Sequence, residues 1–231
     1  MLTEYVGYDI LQNMKKSFLK SHRELLWFLM FAAVTGAYFL LQFLPLEHRV
    51  VHAALDDRIP FLPGFIIPYI LWYVYVPGLM LLMCFTDKQR FLRQAATLFS
   101  GAFICIAIFA LWPSRVDFRP DAAGDGLLLW LCRAVYSSDQ PYNVFPSLHC
   151  YEATAIFLAS FGSGGWRRHK ALCAVSGILA VLICLSTVFV KQHSVLDLLS
   201  GCTLAVLVYF AVKAIFDKKH KKVDQYAHIS V

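Results

Sequence analysis

"ALCAVSGILAVLICLSTVFV", Ala171–Val190, runs for 20 residues without a charge. A helix needs about 20 mainly apolar residues to cross a bilayer core, so this stretch reads as a membrane span. Working outward, five further apolar windows appear: Leu25–Leu44, Phe65–Phe85, Ala95–Trp112, Ser147–Phe161 and Val195–Phe216. The window at Ser147 is the shortest and contains Glu152, and the last begins polar and carries Asp197. Pro68 and Pro77 predict a kink in the window from Phe65. The chain of 231 residues is 59% hydrophobic and only 16% charged, against about 25% charged in an ordinary soluble domain. The expectation is an all-α polytopic membrane protein with six transmembrane helices: a cytoplasmic segment at 1–24, a membrane domain at 25–216 and a basic tail at 217–231.

The charges flank the apolar windows. Fifteen Lys and Arg fall on one side of the implied membrane, in the N-terminal segment, "TDKQRFLRQ", "GWRRHK" and the C-terminal end. Six fall on the other: Arg49, Arg58, Arg115, Arg119, Arg133 and Lys191. The positive-inside rule then predicts a multi-pass protein of the cell membrane with both termini cytoplasmic. The net charge of +6 is therefore a topology signal, and no nucleic-acid partner is expected. The start "YDILQNMKKSFLK" reads either as an amphipathic surface segment or as a plain tail. No cleavable signal peptide is expected, because the first apolar run begins only at Leu25 and is too long for an h-region. The long connection Pro113–Pro146 falls outside, and its "GDGLLLWLCRAVY" is too short to span and suits an interfacial helix. Most of the seven cysteines lie inside apolar runs as small hydrophobes. Cys132 and Cys150 share the outer side, which leaves a bridge between them open.

Three polar clusters collect on that outer side: "WPSRVDFRP", "NVFPSLHC" and "TVFVKQHSVLD". His193 and Asp197 are four apart, so on a helix the carboxylate can accept the imidazole N–H and leave the other ring nitrogen free. By itself the pair reads first as a histidine and a carboxylate satisfying each other at an interface. Pro146 and Ser147 mark a helix start whose free amides suit an anion, with His149 close by to donate a proton. A helix cap followed by an interfacial histidine accounts for the same residues. Arg115, Arg119 and Lys191 supply positive charge of the kind that clamps a phosphoryl group, or else form surface pairs. Glu152, one turn beyond His149, either reads a substrate hydroxyl or amine or lines a wet cavity.

The order of these clusters resembles the type 2 phosphatidic acid phosphatase superfamily, whose pattern is K-x(6)-R-P, then P-S-G-H, then S-R-x(5)-H-x(3)-D. Arg119-Pro120 matches the end of the first motif. Pro146, Ser147 and His149 match the second, with Leu148 in place of glycine. Ser186, His193 and Asp197 match the third. Trp112 stands where the family has lysine, and Thr187 where it has arginine. The forms N-x-F-P-S-x-H, beginning at Asn143, and K-Q-H-x-x-x-D are similar to the branch containing inositol phosphotransferases and sphingomyelin synthases.

The resemblance implies a site between helices at the outer membrane face. His193 would be the nucleophile oriented by Asp197, and His149 the acid. Arg119, Arg115, Lys191, Asn143 and the Ser147–Leu148 backbone would hold the phosphate, with no metal or cofactor. The leading expectation is a lipid phosphate or diphosphate phosphatase acting at the outer leaflet through a phosphohistidine. Undecaprenyl diphosphate, phosphatidylglycerol phosphate and phosphatidic acid are the candidate substrates. The alternative is a lipid phosphotransferase with an alcohol acceptor. A transporter or scramblase, or a metal site at His149, His193 and Asp197, are readings from other classes.

Overall fold

The computed structural model describes Trp27, residues 29–162 and residues 170–229, with side chains described to Lys218. The amphipathic start within 1–24, most of "GWRRHK" and the side chains of the basic tail lie outside the described residues. Seven helices account for most of what is described. They are α1 (Leu29–Phe43), α2 (Ile66–Thr86, entered through a 3-10 turn at Pro63–Phe65), α3 (Lys88–Leu111), α4 (Leu127–Ser138), α5 (Leu148–Phe161), α6 (Lys170–Phe189) and α7 (Val195–Ile229).

Six of them sit in the six apolar windows, and α4 is the short helix expected inside the long connection. The stretches Pro63–Thr86, Lys88–Leu111, Lys170–Phe189 and Val195–Lys218 are long and apolar enough to cross a membrane. The helices α1 and α5 are shorter, at 15 and 14 residues. At about 1.5 Å per residue they reach roughly 22 Å, against the ~30 Å of a bilayer core. The start of α5 is fixed locally: Pro146 cannot continue a backbone ladder, and Ser147 is the N-cap whose Oγ accepts from the Cys150 amide.

Between the α2–α3 and α6–α7 pairs, α5 is the central element, packing on α7, α3, α6 and α2. Ten of its 14 residues are buried. A helix buried on nearly every side has no polar face to show, which is why its sequence carries little amphipathic signal. Small residues allow the approach. A Cβ at Gly201 of α7 would run into the carbonyl oxygen of Ser147, with Cys150 Cβ and the Tyr151 amide 3.2 Å away. Gly201→Ala is therefore expected to lower stability by about 1–3 kcal/mol through overpacking, read as a fall in the thermal midpoint in detergent. It should also push the first turn of α5 off α7.

Outside the bundle, a two-stranded parallel pairing joins β1 (Arg49–Val50) to β2 (Ser114–Arg115), and Arg115 also bridges Tyr142. This ties three connections into one layer over the ends of α3, α5 and α7. The layer has its own apolar seam at Val51, Val116 and Val144. The bridge left open between Cys132 and Cys150 does not form: both thiols are free and buried, Cys132 on the inner face of α4 and Cys150 in the centre of the bundle.

Candidate active site

The turn between α6 and α7 builds one wall. After Phe189 the chain leaves the helix with Lys191 at φ 56, the left-handed position that commonly ends a helix. The amides of Gln192 and His193 both donate to the Thr187 carbonyl, at 2.9 and 3.0 Å. Ser194 then caps α7. Its Oγ accepts from the Leu196 amide at 3.2 Å, and its own amide donates to Asp197 Oδ2 at 2.8 Å. This is a reciprocal capping box. The box aims the carboxylate: the same Oδ2 lies 3.4 Å from His193 Nδ1.

A second acceptor, the Val144 carbonyl, is 3.1 Å from that Nδ1. Two acceptors on one ring nitrogen place the proton there and leave a lone pair on Nε2. Val144 is held in turn by Ser114, whose Oγ accepts from the amides of Val144 and Phe145 at 3.1 and 3.0 Å. Sequence reasoning singled out neither Val144 nor Ser114.

Asp56 was missed as well. It is 3% exposed and caps α7 from the connection ahead of α2: Oδ1 accepts from the Val195 amide (2.9 Å) and Oδ2 from Ser194 Oγ (2.6 Å). Its backbone carbonyl accepts from Lys191 Nζ at 2.7 Å. Nothing in "LDDRIP" separates Asp56 from its neighbour Asp57. Only the fold brings one of them to a helix start.

The opposite wall is the start of α5. The Ser147 amide donates to the Asp197 carbonyl at 3.0 Å, so the two helix starts are docked on each other. This sets the imidazoles of His149 and His193 6.0 Å apart, centroid to centroid. His149 is packed among aromatic rings of α2, with Trp72 at 4.3 Å and Tyr69 at 4.6 Å. Tyr69 and Tyr38 both donate to the Asp139 carboxylate, at 2.6 and 2.7 Å, which pins α1, α2 and the end of α4 together.

These groups border a cavity of about 440 Å³, within the range of small-molecule sites. His149, His193, Asn143, Asp139, Leu148 and Glu152 line it, and it runs on between α1 and α2 along Phe31, Val34, Val76 and Pro77. Several of its polar atoms are buried without a hydrogen-bond partner: His149 Nε2, both amide atoms of Asn143, Glu152 Oε2 and Trp72 Nε1. Buried polar atoms are normally paired, so such a concentration marks a polar pocket whose bonding water or a ligand completes. Asn143 holds φ 57, a conformation Asn tolerates better than most residues.

The three cations named from sequence do not line this cavity. Arg115 lies in β2. Lys191 Nζ is engaged by Asp56 and sits over the Phe118 ring. Arg119 stands behind the wall, donating to the Asp139 and Tyr136 carbonyls and to Gln192 Oε1, with its guanidinium over the Tyr136 ring. Burial pushes the Arg119 guanidinium below its ordinary value, partly offset by the Asp139 charge. Arginine keeps its charge regardless.

Residues 117–221, a little under half the chain, match the sequence profile of the PAP2 superfamily. These residues belong to the PAP2 superfamily. The PAP2 span takes in His149, His193 and Asp197 with α4 to α6 and most of α7, and leaves α1, α2, α3 and Asp56 outside it. A stretch of 87 residues is 34% identical to phosphatidylglycerophosphatase B of Bacillus subtilis (strain 168), covering 35% of this chain and 42% of that protein. The match therefore spans less than half the length of that relative. No solved structure matches the chain.

Proposed function

We propose that the chain is a membrane lipid phosphate phosphatase working through a phosphohistidine intermediate at the outer face of a six-span membrane domain. The observation that carries this reading is the pairing of two histidines across a cavity rich in unsatisfied polar atoms. His193 Nε2 carries the free lone pair, because Nδ1 is held by Asp197 and Val144. His149 faces it at a separation that accommodates a phosphoryl group. Similarity to a protein named phosphatidylglycerophosphatase B supports a phospholipid phosphate as substrate.

In the first step His193 Nε2 forms a bond to phosphorus as the ester P–O bond breaks. The departing alkoxide takes a proton from His149. In the second step water attacks phosphorus, the P–N bond breaks, and His149 is reprotonated by the proton that the water loses. Asn143 and the Leu148 amide steady the equatorial oxygens in this reading, the Ser147 amide being engaged by the Asp197 carbonyl. Arg119 and Lys191 contribute positive potential from behind the wall. The distribution of Lys and Arg supports both termini being cytoplasmic and the site facing outside.

The purified protein in mixed micelles is expected to release inorganic phosphate from a diacyl lipid phosphate, with undiminished rate in chelator. Label from a 32P-phosphorylated lipid should be trapped on the protein as an acid-labile adduct. Transfer of the phosphoryl group to added alcohols without phosphate release would overturn the hydrolase in favour of a phosphotransferase.

A further inference from the structure

The phosphoryl chemistry at His193 and His149 makes no use of Glu152. Its side chain is nonetheless 97% removed from solvent, being 3% exposed, and it lines the cavity with Oε2 unpartnered. It follows His149 by three residues on α5, so the two share a face and Glu152 lies about 4.5 Å further along the helix axis. Trp72 contributes from α2: its ring lies against His149, and its indole N–H is buried without an acceptor. Among the described residues Glu152 forms no ion pair with a lysine or arginine. Farther along, Phe31, Val34 and Val76 make the cavity wall hydrocarbon.

A buried carboxyl and a buried indole N–H are both costly unless a partner arrives. The indole only donates, so its partner must be an acceptor oxygen. A carboxyl group accepts, and in its acid form it also donates. A lipid that is pure hydrocarbon beyond its phosphate, whether polyprenyl or alkyl, leaves both groups unpaired. A glycerol-linked lipid carries ester or hydroxyl oxygens a few bonds from phosphorus, a distance comparable with about one helical turn of 5.4 Å.

We propose that Glu152 and Trp72 form a specificity element that reads the oxygen-bearing glycerol linker of the substrate. The site then favours acylglycerol phosphates over polyprenyl and alkyl phosphates. This rests on the phosphatase reading above and narrows its substrate class. It concerns selection rather than the chemical step.

The test compares kcat/KM for dioleoyl phosphatidic acid, oleyl phosphate and farnesyl phosphate in mixed micelles. The wild type is expected to prefer the diacyl substrate by about 10- to 100-fold, the scale expected when an analogue leaves a buried polar group unpaired. Glu152→Leu should cut that preference at least about fivefold, and Glu152→Gln, which keeps a donor and an acceptor, should retain most of it. A wild type without preference overturns the proposal. So does a Glu152→Leu ratio equal to the wild-type ratio, whatever happens to total activity, because a structural role lowers all substrates alike. A wild type inactive on every lipid phosphate overturns the phosphatase reading itself, and the inference falls with it.

Discussion

His193→Ala should lose lipid phosphate turnover by at least about 10⁴-fold, the scale seen when a covalent nucleophile is removed. No neighbour can replace it. His149 stands on the other side of the phosphoryl position and has no carboxylate on its ring comparable to the contact between Asp197 and His193. Phosphate release and trapping of the labelled adduct should vanish together. The fold should survive, because the His193 ring makes one backbone contact and one carboxylate contact at the edge of a cavity. An unchanged thermal midpoint beside lost turnover is the expected pairing. Retained turnover would contradict the nucleophile assignment. A wild type that moves lipids without hydrolysing them would return the molecule to the transporter reading.

Asp197→Asn is the second large effect, and it separates two jobs done by one side chain. Asp197 is fully buried, and its Oδ2 serves both the Ser194 amide and His193. An asparagine oxygen can still accept from Ser194 and keep the capping box. The same oxygen can also keep accepting from His193 Nδ1–H, as the Val144 carbonyl does, but the amide is neutral, so the negative charge that stabilises the ring as it bonds to phosphorus is lost. The expected loss in kcat is about 10²- to 10³-fold, the scale of removing one preorganised electrostatic partner, with little change in thermal midpoint. Asp197→Ala should add a stability loss of about 1 kcal/mol for the missing cap. Equal stability losses in both variants would show that Asp197 is structural.

The helices were legible in the sequence because each is a nearly charge-free run, and the bounds of α5, α6 and α7 fall within a residue or two of the apolar windows at their starts. The closeness of His193 and Asp197 was legible in their four-residue spacing, although His193 precedes α7 and the contact is made by the capping turn rather than on a helix face. What stayed hidden depends on chain segments far apart in sequence. Asp56 reaches α7 from more than a hundred residues away. Tyr69 and Trp72, which surround His149, are indistinguishable in sequence from other aromatics in an apolar run. The arginines and Lys191 were placed by charge, but charge does not reveal that carbonyl groups and Gln192 already engage Arg119, or that Asp56 engages Lys191.

The cavity passes sideways between α1 and α2, where Phe39 and Tyr73 stand 40% and 50% exposed at its rim. A lipid can slide into such an opening from within the bilayer, without being lifted into water. The concentration that governs its capture is then a two-dimensional one, the mole fraction of substrate among neighbouring lipids. Diluting the surface with inert lipid would slow the reaction even when the bulk amount of substrate is held constant.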